Sequence, residues 1–446
     1  MRLKAIFVVI IVLFCIPSQY GQSQFSEYPA NPVYSPGRAY YPSIIHDSLH
    51  FGDTYGGGLP YYKMWYTTSG GIALGYSTDG ITWNTYGLVS GLLATAHHVQ
   101  VIYDRNGFGG TPIHYKMWFW DTSQLYSLAA LKYAESVDGI NWTWSTLTQD
   151  ATHQLVTGIH PDWNRGTYGP IDIFYNPAGA SSLDDTSVWN NKYVMYYDGT
   201  TGGIEQIGLA YSVNGTHWKR YGSGPVLPIS PGSWDSAYTG FGTVIPLPDG
   251  FHFFYSGGQH AMHEGIGYAF SKDGISWVKA DDPLFHVHDG ISWRSTRCYT
   301  PAVLIRWQGG QLCFHMWFTG DDGSTRAIGY AAGCVRPPLG GSIRVPPVEI
   351  GIEEQMISLA RYNATRCCEK YEQTVMSLLS ELLGVVDEPE YAEALQYIEE
   401  ARTFCTKSDG LITSGNGVAG NYCALQACEL YAEALSILEA LASELA

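Results

Sequence analysis

Short runs in which apolar and polar residues alternate recur along the chain and stop near residue 335. The period is two, the signature of strands with one face buried. Five of these runs are strongly aromatic: Tyr61 to Tyr66, His114 to Phe119, Lys192 to Tyr197, Phe251 to Tyr255 and Cys313 to Phe318. Each follows an apolar strand, begun at Pro42, Val99, Pro170, Gly242 and Pro301, and each precedes a strand of the Ile-Gly-Tyr-Ala kind. Four units continue through a turn to a Trp: Ser77-Thr78-Asp79-Gly80 to Trp83, Ser136-Val137-Asp138-Gly139 to Trp142, Ser212-Val213-Asn214-Gly215 to Trp218 and Ser271-Lys272-Asp273-Gly274 to Trp277. Asp-Gly and Asn-Gly favour the positive-φ turns that close hairpins, and the Trp is large enough to fill the space between sheets.

A four-stranded unit repeated about an axis buries its faces on its neighbours, which is the logic of a propeller. The expected fold is therefore mainly β, a five-bladed β-propeller over residues 24–335, followed by a C-terminal all-α domain. The fifth unit lacks its own hairpin, and the segment from Phe25 to Arg38 is expected to supply the outer strand. Beyond a Pro/Gly-rich linker at 336–349, apolar residues return at helical spacing. Residues 350–446 predict about three helices, near 351–383, 389–406 and 420–445.

Charge separates the two parts. The chain carries a formal −17, and from Glu349 onward 17 Asp and Glu stand against 5 Lys and Arg. No basic stripe exists to bind nucleic acid. Met1-Arg2-Leu3-Lys4 and the apolar run Ala5 to Ile16 predict a signal peptide over 1–23, hence a secreted or cell-surface protein. Eight cysteines follow it, an even number that permits disulfides in an exported chain. No Cys-x-x-Cys pair points to zinc, and neither a metal nor a cofactor is predicted.

The alternation of Tyr-Lys-Met-Trp-Tyr strands with Ile-Gly-Tyr-Ala-x-Ser-x-Asp-Gly-Ile-x-Trp resembles the five-bladed glycosidase superfamily, which includes glycoside hydrolase families 32, 43, 62, 68 and 130. The likeness runs from about Tyr40 to Gly333. It implies a propeller acting on carbohydrate, but not a catalytic residue. The family 43 position for a catalytic Asp is Tyr41 here, its counterparts in later units are His98, Gly169, Phe241 and Thr300, and the Trp-Met-Asn-Asp-Pro-Asn-Gly motif of family 32 is absent.

A ligand is expected at the mouth formed by the linkers into each first strand and the loops between second and third strands. Glu205, Glu264 and Asp172 are the candidate catalytic carboxyls, because glycoside hydrolysis needs one protonated and one ionised. Asp172 is equally open to a backbone-bonding role, and Asp235 to a structural one. Tyr41, His98, Trp120, Asp121, Asp235, His263, Arg297, Tyr299 and Thr300 are the candidate substrate-binding residues, a mixture of stacking platforms and hydroxyl partners. The expected function is recognition of an extracellular glycan, with glycoside hydrolysis if the protein is an enzyme. The alternative is a non-catalytic module binding carbohydrate or protein, with the tail helices serving a protein partner or self-association.

Overall fold

The computed structural model describes residues 25–47, 51, 60–177, 179–247, 250–260, 263–308 and 311–335, together with 394–399, 401–403, 405–406 and 434 in the tail. The chain is mainly β. It opens with β1 (Ser26–Glu27). A first antiparallel group follows: β2 (Tyr40–His46), β3 (Tyr62–Thr68), β4 (Gly71–Ser77) and β5 (Trp83–Leu88). The second contains β6 (Ala96–Tyr103), β7 (Tyr115–Asp121), β8 (Leu131–Ser136) and β9 (Thr143–Thr146). After β10 (Thr148–Gln149), the third contains β11 (Gly166–Tyr175), β12 (Tyr193–Thr201), β13 (Ile204–Ser212) and β14 (His217–Arg220). The fourth contains β15 (Tyr238–Leu247), β16 (Gly250–Gly258), β17 (Gly265–Ser271) and β18 (Trp277–Lys279), with β19 (Phe285–His286) also paired to β17. The last contains β20 (Arg297–Gln308), β21 (Gln311–Asp321) and β22 (Arg326–Val335). Its fourth strand is β1, with Ser26 opposite Ala332 and Glu27 opposite Ala331. The third and fourth groups are joined by one parallel pair, Glu205 with Tyr238.

The turns explain how the groups stack. In each of the four hairpins a Ser hydroxyl accepts from the Gly N–H, and the Asp or Asn oxygen accepts from the next two N–H groups; in the first, Gly80 donates to Ser77 and Ile81 and Thr82 to Asp79. This closes the turn and leaves the Gly carbonyl facing outward. A side chain of the preceding group takes it. Trp65 Nε1 donates to Gly139 O at 2.9 Å, Trp118 Nε1 to Gly215 O at 2.8 Å, Tyr196 Oη to Gly274 O, and Trp317 Nε1 to Gly80 O at 2.7 Å. Trp317 belongs to the last group and Gly80 to the first. The last group has no such hairpin to offer, and the matching position in the fourth is Phe254, whose ring meets Phe25 at 5.5 Å instead. Apolar packing follows the same order, including Ala302 and Trp317 of the last group against Tyr62 and Met64 of the first.

In the tail, residues 394–399, 401–403 and 405–406 are helical. Ala394, Ile398 and Ala401 are buried there, the spacing of a single helix face. The expected signal peptide, the linker and most of the three expected helices lie outside the described residues. Cys298 is a buried free thiol, so it has no place in a disulfide framework. Cys313 and Cys334 face each other in register.

Candidate functional site

The site lies at the end of the sheets opposite the hairpins. There, each first strand breaks register with its neighbour. At each break one residue is left-handed: Tyr41 (φ 55°), His98 (φ 48°), Gly169 (φ 124°), Phe241 (φ 29°) and Thr300 (φ 52°). Four of the five are not glycine, a conformation that costs free energy and is retained where neighbours enforce it. A bulge of this kind re-aims its side chain. Three of them converge: the ring centroids of Tyr41 and His98 are 3.6 Å apart, those of His98 and Phe241 4.4 Å, and those of Tyr41 and Phe241 5.0 Å. With Thr300, Gln100 and Ile171 they line one recess.

A hydroxyl from the preceding group's second strand holds most of these bulges. Tyr41 N–H donates to Thr319 Oγ1 at 3.1 Å, His98 N–H to Thr67 Oγ1 at 3.3 Å and Thr300 N–H to Ser256 Oγ at 2.7 Å. Thr67, Ser256 and Thr319 each stand immediately after the aromatic run. In the second group that place is Trp120, and Gly169 beside it donates to Thr167 within its own strand. In the third it is Asp198.

Asp198 departs from the pattern. It is 0% exposed, and neither of its carboxyl oxygens has a hydrogen-bond partner among the described residues. Glu205 Oε2, His263 Nδ1 and Tyr299 Oη are likewise buried and unpartnered. Buried polar atoms are almost always satisfied, so five orphans on four residues in one neighbourhood mark a place that the scaffold does not complete. Gly240 shows how closely they converge. A Cβ there would stand 2.5 Å from Asp198 Oδ2, 3.2 Å from Glu205 Oε2 and 3.5 Å from His263 Cε1. His263, also left-handed (φ 66°), places Nε2 3.3 Å from Glu205 Oε2 and stacks on Tyr299 at 5.7 Å. The Glu205 backbone is pinned by its N–H to Ala237 O at 3.2 Å.

Burial raises both carboxyls. Asp198 is raised further by the charge of Glu205, while Arg297 and Asp198 only partly offset the rise at Glu205. Two such groups side by side hold a proton near neutrality. Burial, aided by Arg297, pushes His263 down to about 3, and burial likewise holds His98 far below its usual range. The site therefore combines a proton-sharing carboxyl pair with neutral imidazoles. Half-buried Tyr41, Trp120, Tyr238 and Arg297 are its partly open part.

Several of the sequence-predicted residues belong elsewhere. Glu264 accepts from Gln259 N–H at 2.7 Å and His260 N–H at 3.0 Å; despite burial, these bonds hold it below the ordinary range, which suits a loop cap rather than an acid. Asp172 accepts from Ile173 N–H at 2.8 Å and Val244 N–H at 2.7 Å, tying β11 to β15, and burial raises it to about 7. Asp235 receives Tyr255 Oη at 3.0 Å and Lys279 Nζ at 2.6 Å. Asp121 receives Thr95 Oγ1 at 2.8 Å and Ser123 Oγ at 2.7 Å. Thr300 Oγ1 is bonded to Thr319 Oγ1 at 2.7 Å. By contrast Tyr41, His98, Trp120, Glu205, His263, Arg297 and Tyr299 are gathered around the bulges. Asp198 and Phe241 join them, and aligning the residue that follows each of the five aromatic runs would have singled out Asp198. No group of three or more His, Cys, Asp and Glu among the described residues could hold a metal ion.

No protein-family model matches the chain, and no curated protein does. Among solved structures it is similar to a glycosyl hydrolase from Bacteroides ovatus (16% identity over 70% of this chain and 96% of that one, TM-score 0.47). It is also similar to a member of the GH130 family of mannoside phosphorylases (17% identity, 69% and 93%, TM-score 0.45). A third is an N-acetylgalactosamine deacetylase from F. plautii (16% identity, 70% and 93%, TM-score 0.45).

Proposed function

We propose that this is an exported, carbohydrate-recognising protein in which the five strand groups are the blades of one closed propeller. The observation that carries the reading is the unpartnered Asp198–Glu205–His263 cluster, at the one blade where a carboxyl replaces the structural hydroxyl or Trp. A carboxyl pair sharing a proton offers a donor and acceptors together, the pattern that a sugar's vicinal hydroxyls require. Tyr41 and Trp120 offer rings for its C–H faces. The acidic tail over 350–446 serves as an association domain in this reading.

Glycoside hydrolysis is the second reading, favoured by the raised carboxyls, since a general acid must keep its proton at neutral pH. Against it, Tyr41 and not an Asp stands at the position of the family 43 catalytic carboxylate.

One experiment tests both readings: a glycan array and a chromogenic-glycoside screen on the mature protein, with Asp198→Asn and Glu205→Gln alongside. Recognition requires glycan retention by the wild type and a loss of about tenfold or more in each variant, at unchanged folding. Turnover that both variants abolish would establish the second reading. Absence of any glycan retained by the wild type would reject both.

A further inference from the structure

The last sheet places Arg297, Asp321 and Arg326 side by side, since Arg297 is opposite Asp321 and Asp321 opposite Arg326. Asp321 is fully committed. Its Oδ2 accepts from Arg326 Nε at 2.7 Å and its Oδ1 from Gly323 N–H at 2.7 Å. Arg38 adjoins Arg326 through a parallel bridge, and the Arg326 guanidinium lies over the Tyr40 ring at 4.9 Å. Three arginines and one occupied carboxylate thus stand at this edge of the mouth, in a chain whose net charge is −17.

Arg297 is the unusual member. It is half-buried, yet it has no ion pair or hydrogen bond to any described residue. It stands two residues before Tyr299 on the same strand, and Cys298 N–H between them donates to His263 O at 3.2 Å, which sets Arg297 beside the cluster; its charge bears on Tyr41, Glu205, His263 and Tyr299. Glu205 Oε2 forms no hydrogen bond with it. A partly desolvated guanidinium without a counter-charge is costly, and its planar fork matches the paired oxygens of a carboxylate or sulfate.

We propose that the ligand is an anionic sugar, bearing a carboxylate or a sulfate ester, and that Arg297, flanked by Arg326, receives that group. This rests on the carbohydrate reading of the same site and names its ligand class.

The test is an array of neutral, uronic-acid-bearing and sulfated oligosaccharides of matched length, applied to the full chain as wild type, Arg297→Gln and Arg297→Lys. The expected result is about tenfold stronger retention of one anionic class over its neutral counterpart. That preference should vanish in Arg297→Gln, at an unchanged melting temperature, and survive in part in Arg297→Lys. The uronate and sulfate arms distinguish the two sources of charge. Equal retention of neutral glycans, or an anionic preference that persists in Arg297→Gln, overturns the proposal and leaves the carbohydrate reading standing. Retention of no glycan at all overturns both.

Discussion

The two ends of the sheets follow opposite rules. At the hairpin end four turns repeat one set of bonds, and every Gly carbonyl that one group exposes is met by a ring of the previous group. At the bulge end the backbone repeats, with five left-handed positions in register, but the side chains do not: Tyr, His, Gly, Phe and Thr occupy them. Repetition marks what holds the molecule together, and its loss marks where something other than stability has selected the residue. Asp198, standing where Thr67, Ser256 and Thr319 stand, is the sharpest instance.

The contrast can be broken most forcefully from the hairpin end. Trp118 is fully buried and donates to Gly215 O at 2.8 Å. Trp118→Ala should cost about 3–5 kcal/mol in a denaturant melt. A loss below about 1 kcal/mol, the scale of a single hydrogen bond, would mean that the ring does not fasten neighbouring groups.

Gly240→Ala comes next. The added methyl meets Asp198 Oδ2 at 2.5 Å, so about 1–3 kcal/mol of overpacking is expected, with ligand retention falling by far more than stability does. Full retention in that variant would remove the carboxyl cluster from the binding site.

Asp198→Asn should act through pH. Because burial and Glu205 raise Asp198 in the folded state, the wild type has its full share of stability below the ordinary carboxylate range of about 4 and loses it as pH rises. Melting temperatures measured from pH 4 to 9 should therefore move in the variant's favour as pH increases. Glu264→Gln should show the reverse, because the folded state holds Glu264 low; its handicap should be largest at neutral pH and shrink as the solution becomes acidic. Parallel pH profiles for both variants and the wild type would contradict these assignments.

The smallest effect belongs to a single hairpin. Asp138→Ala removes the acceptor for Ile140 and Asn141 N–H and should cost about 1 kcal/mol by thermal melt, without altering ligand retention.

The hairpin end was legible in the sequence because Ser-x-Asp-Gly-x-x-Trp specifies its own bonds locally. The strand at Phe25 was legible as well, since the last unit visibly lacked one. The bulge end was only half legible. That Tyr41, His98, Gly169, Phe241 and Thr300 are equivalent followed from the spacing, whereas their shared left-handed backbone did not, since nothing in Tyr or Phe advertises it. The carboxyls were harder still. Asp121, Asp172, Asp235 and Glu264 look like Glu205 in a sequence, and what separates them is whether an N–H, a hydroxyl or an ammonium group arrives from a distant segment.

The strand Ser26–Glu27 has a consequence for how the molecule is made. The last sheet cannot be finished by residues that leave the ribosome together, because its outermost strand precedes its neighbour, Arg326–Val335, by some three hundred residues. The early segment must stay unpaired throughout that interval, and its joining is the long-range step expected to be slow.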